Sequence, residues 1–140
     1  MYMTDEWLAG FFDGEGCISG RLYFCPTKYV HHPRVYIQIS ITQKDRKILE
    51  MIQVKYGGTI TDKKRGCSHI RWLGKQDMKR ILQTISPYSV CKRDQILIAL
   101  RFIETIRDEN LGSCGLSEEI HAERKEIYDG LRLLKKVNVV

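Results

Sequence analysis

The reading of this chain turns on the stretch Leu8-Ala9-Gly10-Phe11-Phe12-Asp13-Gly14-Glu15-Gly16. It starts inside a helix, predicted from Thr4 to Asp13. Thr4 can cap it, and Asp5 and Glu6 sit in the first turn, where the helix dipole favours negative charge. Trp7, Leu8, Phe11 and Phe12 give the helix an apolar surface. The run Asp13-Gly14-Glu15-Gly16 is then expected to break it. Gly10 and Gly14 have G-x-x-x-G spacing, which puts both on one side of the helix. With no side chains there, a second helix backbone can approach closely. The chain holds one copy of this stretch. A pairing surface made from one copy needs a second chain, which points to a two-fold homodimer.

Outward from the helix the pattern changes to period two. From Cys17 to Cys25, Ile18, Leu22 and Phe24 point one way, with Gly20 on the same side, and Ser19, Arg21 and Tyr23 point the other. Pro26 to Pro33 reads as a loop carrying Lys28, Tyr29, His31 and His32. The next strand alternates Val35, Ile37, Ile39 and Ile41 against Arg34, Tyr36, Gln38 and Ser40. One apolar face at period two means an antiparallel sheet covered on one side. Thr42-x-x-Asp45 resembles a capping box and opens a helix bearing Ile48, Leu49, Ile52 and Tyr56, which Gly57-Gly58 ends. Thr59 to Lys63 and Cys67 to Leu73 form a second alternating pair, joined by a Lys64-Arg65-Gly66 turn. Met78, Ile81, Leu82 and Ile85 mark a further helix, ended by Ser86-Pro87. A longer one is predicted over Lys92 to Asp108. Asn110 to Leu116 reads as a linker, and Ser117 caps a last helix with Ile120, Ile127, Leu131 and Leu134 on one stripe.

This order (helix, two strands, helix, two strands, then helices) is an α+β fold. It predicts a four-stranded antiparallel sheet with helices on one face. The other face is left polar, and Arg21, Tyr23, Arg34, Tyr36, Gln38, Ser40, Lys63, His69 and Arg71 are expected on it. Arg, Gln and Ser are side chains that read base edges in a major groove, and Arg and Lys also neutralise phosphates. An ordinary solvated face mixes both signs of charge; the residues assigned here include cations and no carboxylate.

The composition agrees. The chain has 140 residues, 23 Lys plus Arg against 17 Asp plus Glu, and a net charge of +6. That length fits a single domain spanning 1–140, with 110–140 as a C-terminal linker and helix, and needs no disulfide or metal to hold it together. Hydrophobic residues make up 43%, so the chain is not of the disordered type. No apolar run approaches the ~20 residues that cross a bilayer, and the polar start from Met1 to Glu6 is not a secretory signal. An intracellular protein with no membrane partner is the expectation; organelle, phage and bacterial cytoplasm are not distinguished. The basic excess indicates a polyanionic partner. The five cysteines are odd in number and form no C-x-x-C pair, which predicts reduced thiols. A zinc site from Cys17, Cys25, His31 and His32 lacks the usual ligand spacing.

The nine-residue stretch resembles the signature of the LAGLIDADG homing endonucleases. Phe11 and Phe12 stand for its variable aliphatic pair, Gly14 for an Ala and Glu15 for the second Asp. Thr42-Gln43-Lys44, and Pro87-Tyr88 followed by Cys91-Lys92-Arg93, fall where single-motif members carry an active-site Gln and Lys. The element order αββαββα also fits to about Asp108. The resemblance implies a homodimer whose motif helices cross at the two-fold axis, with Leu8, Gly10, Phe11, Asp13 and Gly14 at the contact. It implies a site-specific endonuclease that cuts both strands of a long, nearly palindromic DNA target and is encoded in an intron. Glu15 and its mate would hold a divalent ion with the carbonyl of Gly14, Mg²⁺ being expected and Ca²⁺ or Mn²⁺ able to substitute. Two carboxylates that close repel unless a cation lies between them. Gln43 would orient water, and Lys92 and Lys47 would stabilise charge on the phosphate. DNA contacts are expected from Ser19, Arg21, Tyr23, Lys28, Arg34, Tyr36, Gln38, Ser40, Thr61, Lys63, His69 and Arg71. Asp13 is expected to serve structure rather than metal. The rivals are an RNA-splicing maturase and a non-cleaving DNA-binding regulator on the same scaffold.

Overall fold

The computed structural model describes residues 3–23, 34–106 and 118–137. Helix α1 (Asp5–Glu15) is followed by strands β1 (Gly16–Tyr23) and β2 (Arg34–Gln43), then helix α2 (Arg46–Tyr56). Strands β3 (Thr59–Asp62) and β4 (Ser68–Trp72) follow, then helices α3 (Lys75–Ile85), α4 (Arg93–Glu104) and α5 (Glu118–Val137). Phe24, Cys25, the loop with Lys28, His31 and His32, and the linker with Ser117 lie outside the described residues.

Helix α1 begins as the sequence predicts, with the Thr4 hydroxyl accepting from the Trp7 amide at 3.1 Å. It does not stop at Asp13. It runs through Glu15 and ends at Gly16, whose amide closes the last turn on the Phe12 carbonyl. A Cβ on Gly16 would stand 2.3 Å from the Phe12 ring. That contact puts the break two residues later than expected and turns the chain into β1 at once.

The four strands are all antiparallel, in the order β1-β2-β4-β3. Ile18, Ile39, Ile41, Ile70 and Trp72 share one face and are fully buried. Leu49 and Ile52 of α2, Ile81, Leu82 and Ile85 of α3, and Ile96, Ala99 and Ile103 of α4 belong to the same core. Burying each large aliphatic side chain contributes about 1.5–3 kcal/mol, so the sheet is held by its helix-covered face. The Trp72 indole donates to the Tyr56 carbonyl at 3.2 Å, which ties β4 to the end of α2. Helix α5 crosses β1 at Gly20, where a Cβ would meet the Tyr128 ring at 2.7 Å.

Two local expectations are corrected. Asp45 caps α2 by itself, its carboxylate accepting from the Lys47 amide at 3.0 Å, while Thr42 and Gln43 belong to β2. Helix α4 is Arg93–Glu104, shorter than the predicted Lys92 to Asp108. The Lys64–Gly66 turn stands where it was expected and holds Arg65 at a φ of 69°.

Candidate active site and nucleic-acid interface

The ladder fixes the open face. Residues directly opposite in an antiparallel pair point to the same side. Ser19 faces Gln38 and Arg21 faces Tyr36 across β1 and β2, and Tyr23 is the backbone register partner of Arg34. Ser40 faces Arg71, and Thr42 faces His69, across β2 and β4. Thr61 faces His69, and Thr59 faces Arg71, across β3 and β4. Lys63 continues the β3 alternation on that side and is exposed. The expected contact residues among the described ones therefore share one face, and no carboxylate joins them there. Lys28 lies outside the described residues.

His69 departs from the expected picture. It lies on the open face but is 8% exposed, and both ring nitrogens are shielded and unpaired. Burial, then the neighbouring Lys63 and Arg71 charges, lower its pKa below 6.5.

The end of α1 meets the end of this sheet. Gly16 pairs with Ile41, so Gln43, two residues on, extends past the helix terminus, half-buried. Glu15 is the last helical residue and is exposed, as is Gly14. A Cβ at Gly10 or Gly14 would have no neighbour within 4 Å. The Trp7 and Phe11 rings, stacked at 4.9 Å, flank this bare strip.

Asp13, two positions before Glu15, is engaged within the chain. Its carboxylate accepts from the Ser89 hydroxyl and from the amides of Val90 at 2.7 Å, Cys91 at 3.2 Å and Lys92 at 3.2 Å. Partial burial alone would raise its pKa. The hydrogen bonds from Ser89, Val90, Cys91 and Lys92 outweigh that and hold the carboxyl below its ordinary 3.8. The Lys92 ammonium donates to the Asp13 carbonyl at 2.5 Å. A carboxylate on α1 thus holds the turn that leads into α4, and a lysine from that turn covers the carbonyl end of α1. Both contacts follow the helix dipoles. They also bring Lys92 to the turn that bears Gly14 and Glu15.

Two residues assigned to the dimer contact serve the protomer. Leu8 is fully buried with Ala9 and Phe12, on the stripe facing the core. Asp13 spends its acceptors on the α4 turn. The outward stripe is Trp7, Gly10, Phe11 and Gly14, spaced i, i+3, i+4 and i+7. Lys47 is exposed in the first turn of α2. Beside it stands a cation that sequence reasoning missed. Arg46 pairs with Glu50 at 3.1 Å and with Asp62, and Asp62 also accepts from the Ser68 hydroxyl at 2.8 Å. Ser68 is the register partner of Gln43. Arg46 is thereby anchored at the Gln43 end of the sheet, and no local pattern announces a contact between positions 46 and 62.

Among the described residues no group of three or more His, Cys, Asp or Glu side chains could hold a metal ion. Cys25, His31 and His32 of the weighed zinc site lie outside them. One protomer offers the Glu15 carboxylate and the Gly14 carbonyl, which are hard oxygen donors suited to Mg²⁺ or Ca²⁺. This set fits such an ion only in part, since no second carboxylate stands beside it among the described residues.

Comparisons with known proteins place the chain in a family. The family model for LAGLIDADG endonuclease matches residues 8–96. The chain belongs to the LAGLIDADG endonuclease family. It is 25% identical over 103 residues to DNA endonuclease I-CvuI of Chlorella vulgaris, a match covering 71% of this chain and 63% of that protein. It is 39% identical over 56 residues to the intron-encoded RNA maturase bI4 of Saccharomyces cerevisiae, covering 40% of this chain and 7% of the maturase. The chain thus spans less than two thirds of either relative. The crystal structure of homing endonuclease I-CvuI with its target in the presence of Ca superposes with a TM-score of 0.79 at 25% identity, over 93% of this chain and 80% of that one. The homing endonuclease I-TnaI shares the fold, with a TM-score of 0.74 at 19% identity over 97% and 96% of the two chains. No helix among the described residues is long and apolar enough to cross a membrane.

Proposed function

We propose that this chain is one protomer of a homodimeric, site-specific DNA endonuclease, and that it hydrolyses both strands of a long, nearly palindromic target with a divalent metal ion, Mg²⁺ in the first place. The observation that carries the reading is the juxtaposition at the end of α1. An exposed Glu15 stands next to a carbonyl covered by Lys92, beside a polar sheet face that has no carboxylate.

Each protomer would lay the open face of its sheet in the major groove. Arg21, Arg34, Lys63 and Arg71 would meet phosphates or guanine edges, and Gln38 and Ser40 would meet bases. Two protomers double the net charge of +6 to 6 + 6 = +12 around one duplex. The bare strip of Gly10 and Gly14, with Trp7 and Phe11 beside it, would pack against its mate at the two-fold axis. That packing sets the two Glu15 carboxylates side by side, with the Gly14 carbonyls as further oxygen donors. A bound divalent ion supplies Lewis acidity at the scissile phosphate. Glu15 holds its place, Gln43 orients the attacking water, and Lys92 stabilises negative charge developing on the phosphate, with Lys47 as a more distant cation. Arg46, held by Asp62, is a further cation at the Gln43 end.

The test is cleavage of plasmids carrying uninterrupted versions of the host gene, with Mg²⁺, with Ca²⁺ and with chelator. Double-strand cutting at one site, lost with chelator, is expected; no cutting of any such plasmid contradicts the reading. A second reading, RNA maturation, is supported by the identity to the maturase over 56 residues. It predicts tight, specific binding of the intron RNA, measured by competition against duplex DNA.

A further inference from the structure

The open face of the sheet contains one buried site. His69 lies mid-sheet, between Thr42 of β2 and Thr61 of β3. It is only 8% exposed, and neither ring nitrogen reaches solvent or a hydrogen-bond partner. The Nε of Arg71 is in the same state. A buried polar atom without a partner costs about 1–3 kcal/mol, and each such atom in a native protein calls for an explanation.

The ladder gives the ring its neighbours. The residues directly across, Thr42 and Thr61, are short. The diagonal positions are Arg71 and Cys67 on the β4 line, Lys63 and Thr59 on the β3 line, and Ser40 and Lys44 on the β2 line. The Cys67 thiol is turned to the Arg65 carbonyl. The long side chains in this ring of neighbours are cations, and those acting on the imidazole are Lys63 and Arg71. No carboxylate faces His69 from β2, β3 or β4. A ring in that setting is neutral, with one nitrogen a donor and the other an acceptor.

A polyanion on this face changes each of these conditions. Phosphates meeting Lys63 and Arg71 would neutralise those cations and reverse the sign of the field at the ring. Imidazole then gains a proton and both nitrogens become donors. The two N–H bonds diverge across the ring, so one of them can donate to guanine, whose major-groove edge offers acceptors only, N7 and O6, while the other meets a phosphate or water.

We propose that His69 is a proton-linked reading residue: buried, neutral and flanked by Lys63 and Arg71 in the free protein, it enters the DNA complex as imidazolium and selects guanine at one symmetry-related position in each half-site. The proposal rests on the DNA-binding reading above and adds to it a base, a residue and a pH dependence.

The experiment selects duplexes from a randomised library with the wild-type protein and with His69→Gln, at pH 6 and pH 8. The wild type is expected to enrich guanine at one pair of symmetric positions at pH 6, and His69→Gln at neither pH. Calorimetry on the selected duplex, in two buffers of different ionisation enthalpy, is expected to show uptake of up to one proton per protomer in the wild type and none in the variant. Wild-type affinity then rises by up to about tenfold per protomer for each pH unit lost within the titration window. The imidazole nitrogen shifts of the unmodified protein, free and bound, read the same change without any substitution. Tight binding with no proton uptake, or a neutral ring in the complex, overturns the proposal alone. A chain that selects no duplex at either pH overturns the DNA-binding reading and this proposal with it.

Discussion

Asp13 and Glu15 are carboxylates two positions apart on the same helix, and their surroundings are opposite. Asp13 accepts four hydrogen bonds from the turn that starts α4. Glu15 is exposed and stands beside a glycine with open space around it. The difference separates two tasks that the motif places side by side. One carboxylate locks the helix to its own protomer and positions Lys92. The other is exposed, and in the proposed enzyme it serves the metal ion. A carboxylate saturated with amide donors is a poor metal ligand, and an unpartnered one adds little to the fold.

Substitutions that strike one side at a time would break or sharpen this contrast. The largest effect is expected from Glu15→Gln. Losing a group that merely supports a metal ligand costs roughly 10–100-fold in activity, so losing the ligand itself should cost about a hundredfold or more, with melting temperature and DNA affinity unchanged. Cleavage kinetics, thermal melting and a binding isotherm together check it; wild-type cutting by the variant would remove the metal role. Asp13→Ala should do the reverse and lower protomer stability by about 1–2 kcal/mol, because the buried Ser89 hydroxyl and the amides of Val90, Cys91 and Lys92 lose a charged acceptor. Denaturant unfolding reads that cost. Unchanged stability would mean that holding the turn into α4 is not what Asp13 is for.

Gly10→Leu tests the bare strip. A Cβ at this position meets nothing within 4 Å, and leaving glycine improves helix propensity by up to about 1 kcal/mol. The protomer should still fold, with a melting temperature that no longer depends on protein concentration, while sedimentation shows the dimer dissociated. The smallest effect is in acid. Asp13 has a lowered pKa, so its contribution is complete above the ordinary 3.8 and fades as pH falls through the depressed value. The stability of Asp13→Asn should lack that acid limb; an identical acid profile in both proteins would assign the limb to other groups.

The sheet was legible because its signal is local. Alternation from Arg34 to Ile41 settles which residues face the core, and the same parity settles the open face. Helix α1 was legible as a helix but not in its orientation. Trp7 with Phe11, and Leu8 with Phe12, are both apolar i, i+4 pairs, so periodicity leaves open which pair faces inward. Only the packed core shows that Leu8 is inside. The partners of Asp13 stand 76 to 79 residues away in sequence; a tertiary contact of that kind leaves no mark near either end. Thr42 and Asp45 are both able to cap α2, and the reach of β2 to Gln43 decides between them. The burial of His69 was invisible for a related reason. Parity gives the side of the sheet a residue is on, but not how far its neighbours fold over it.

The central claim is that one protomer carries half of the active centre. Its most direct test is the mass of the active species, from sedimentation under the buffer and metal conditions in which the protein cuts duplex DNA. Each chain is 16.4 kDa. The account predicts two chains per cleaved duplex, with cutting lost when Gly10→Leu holds the chains apart. A single chain that cuts both strands by itself would contradict it.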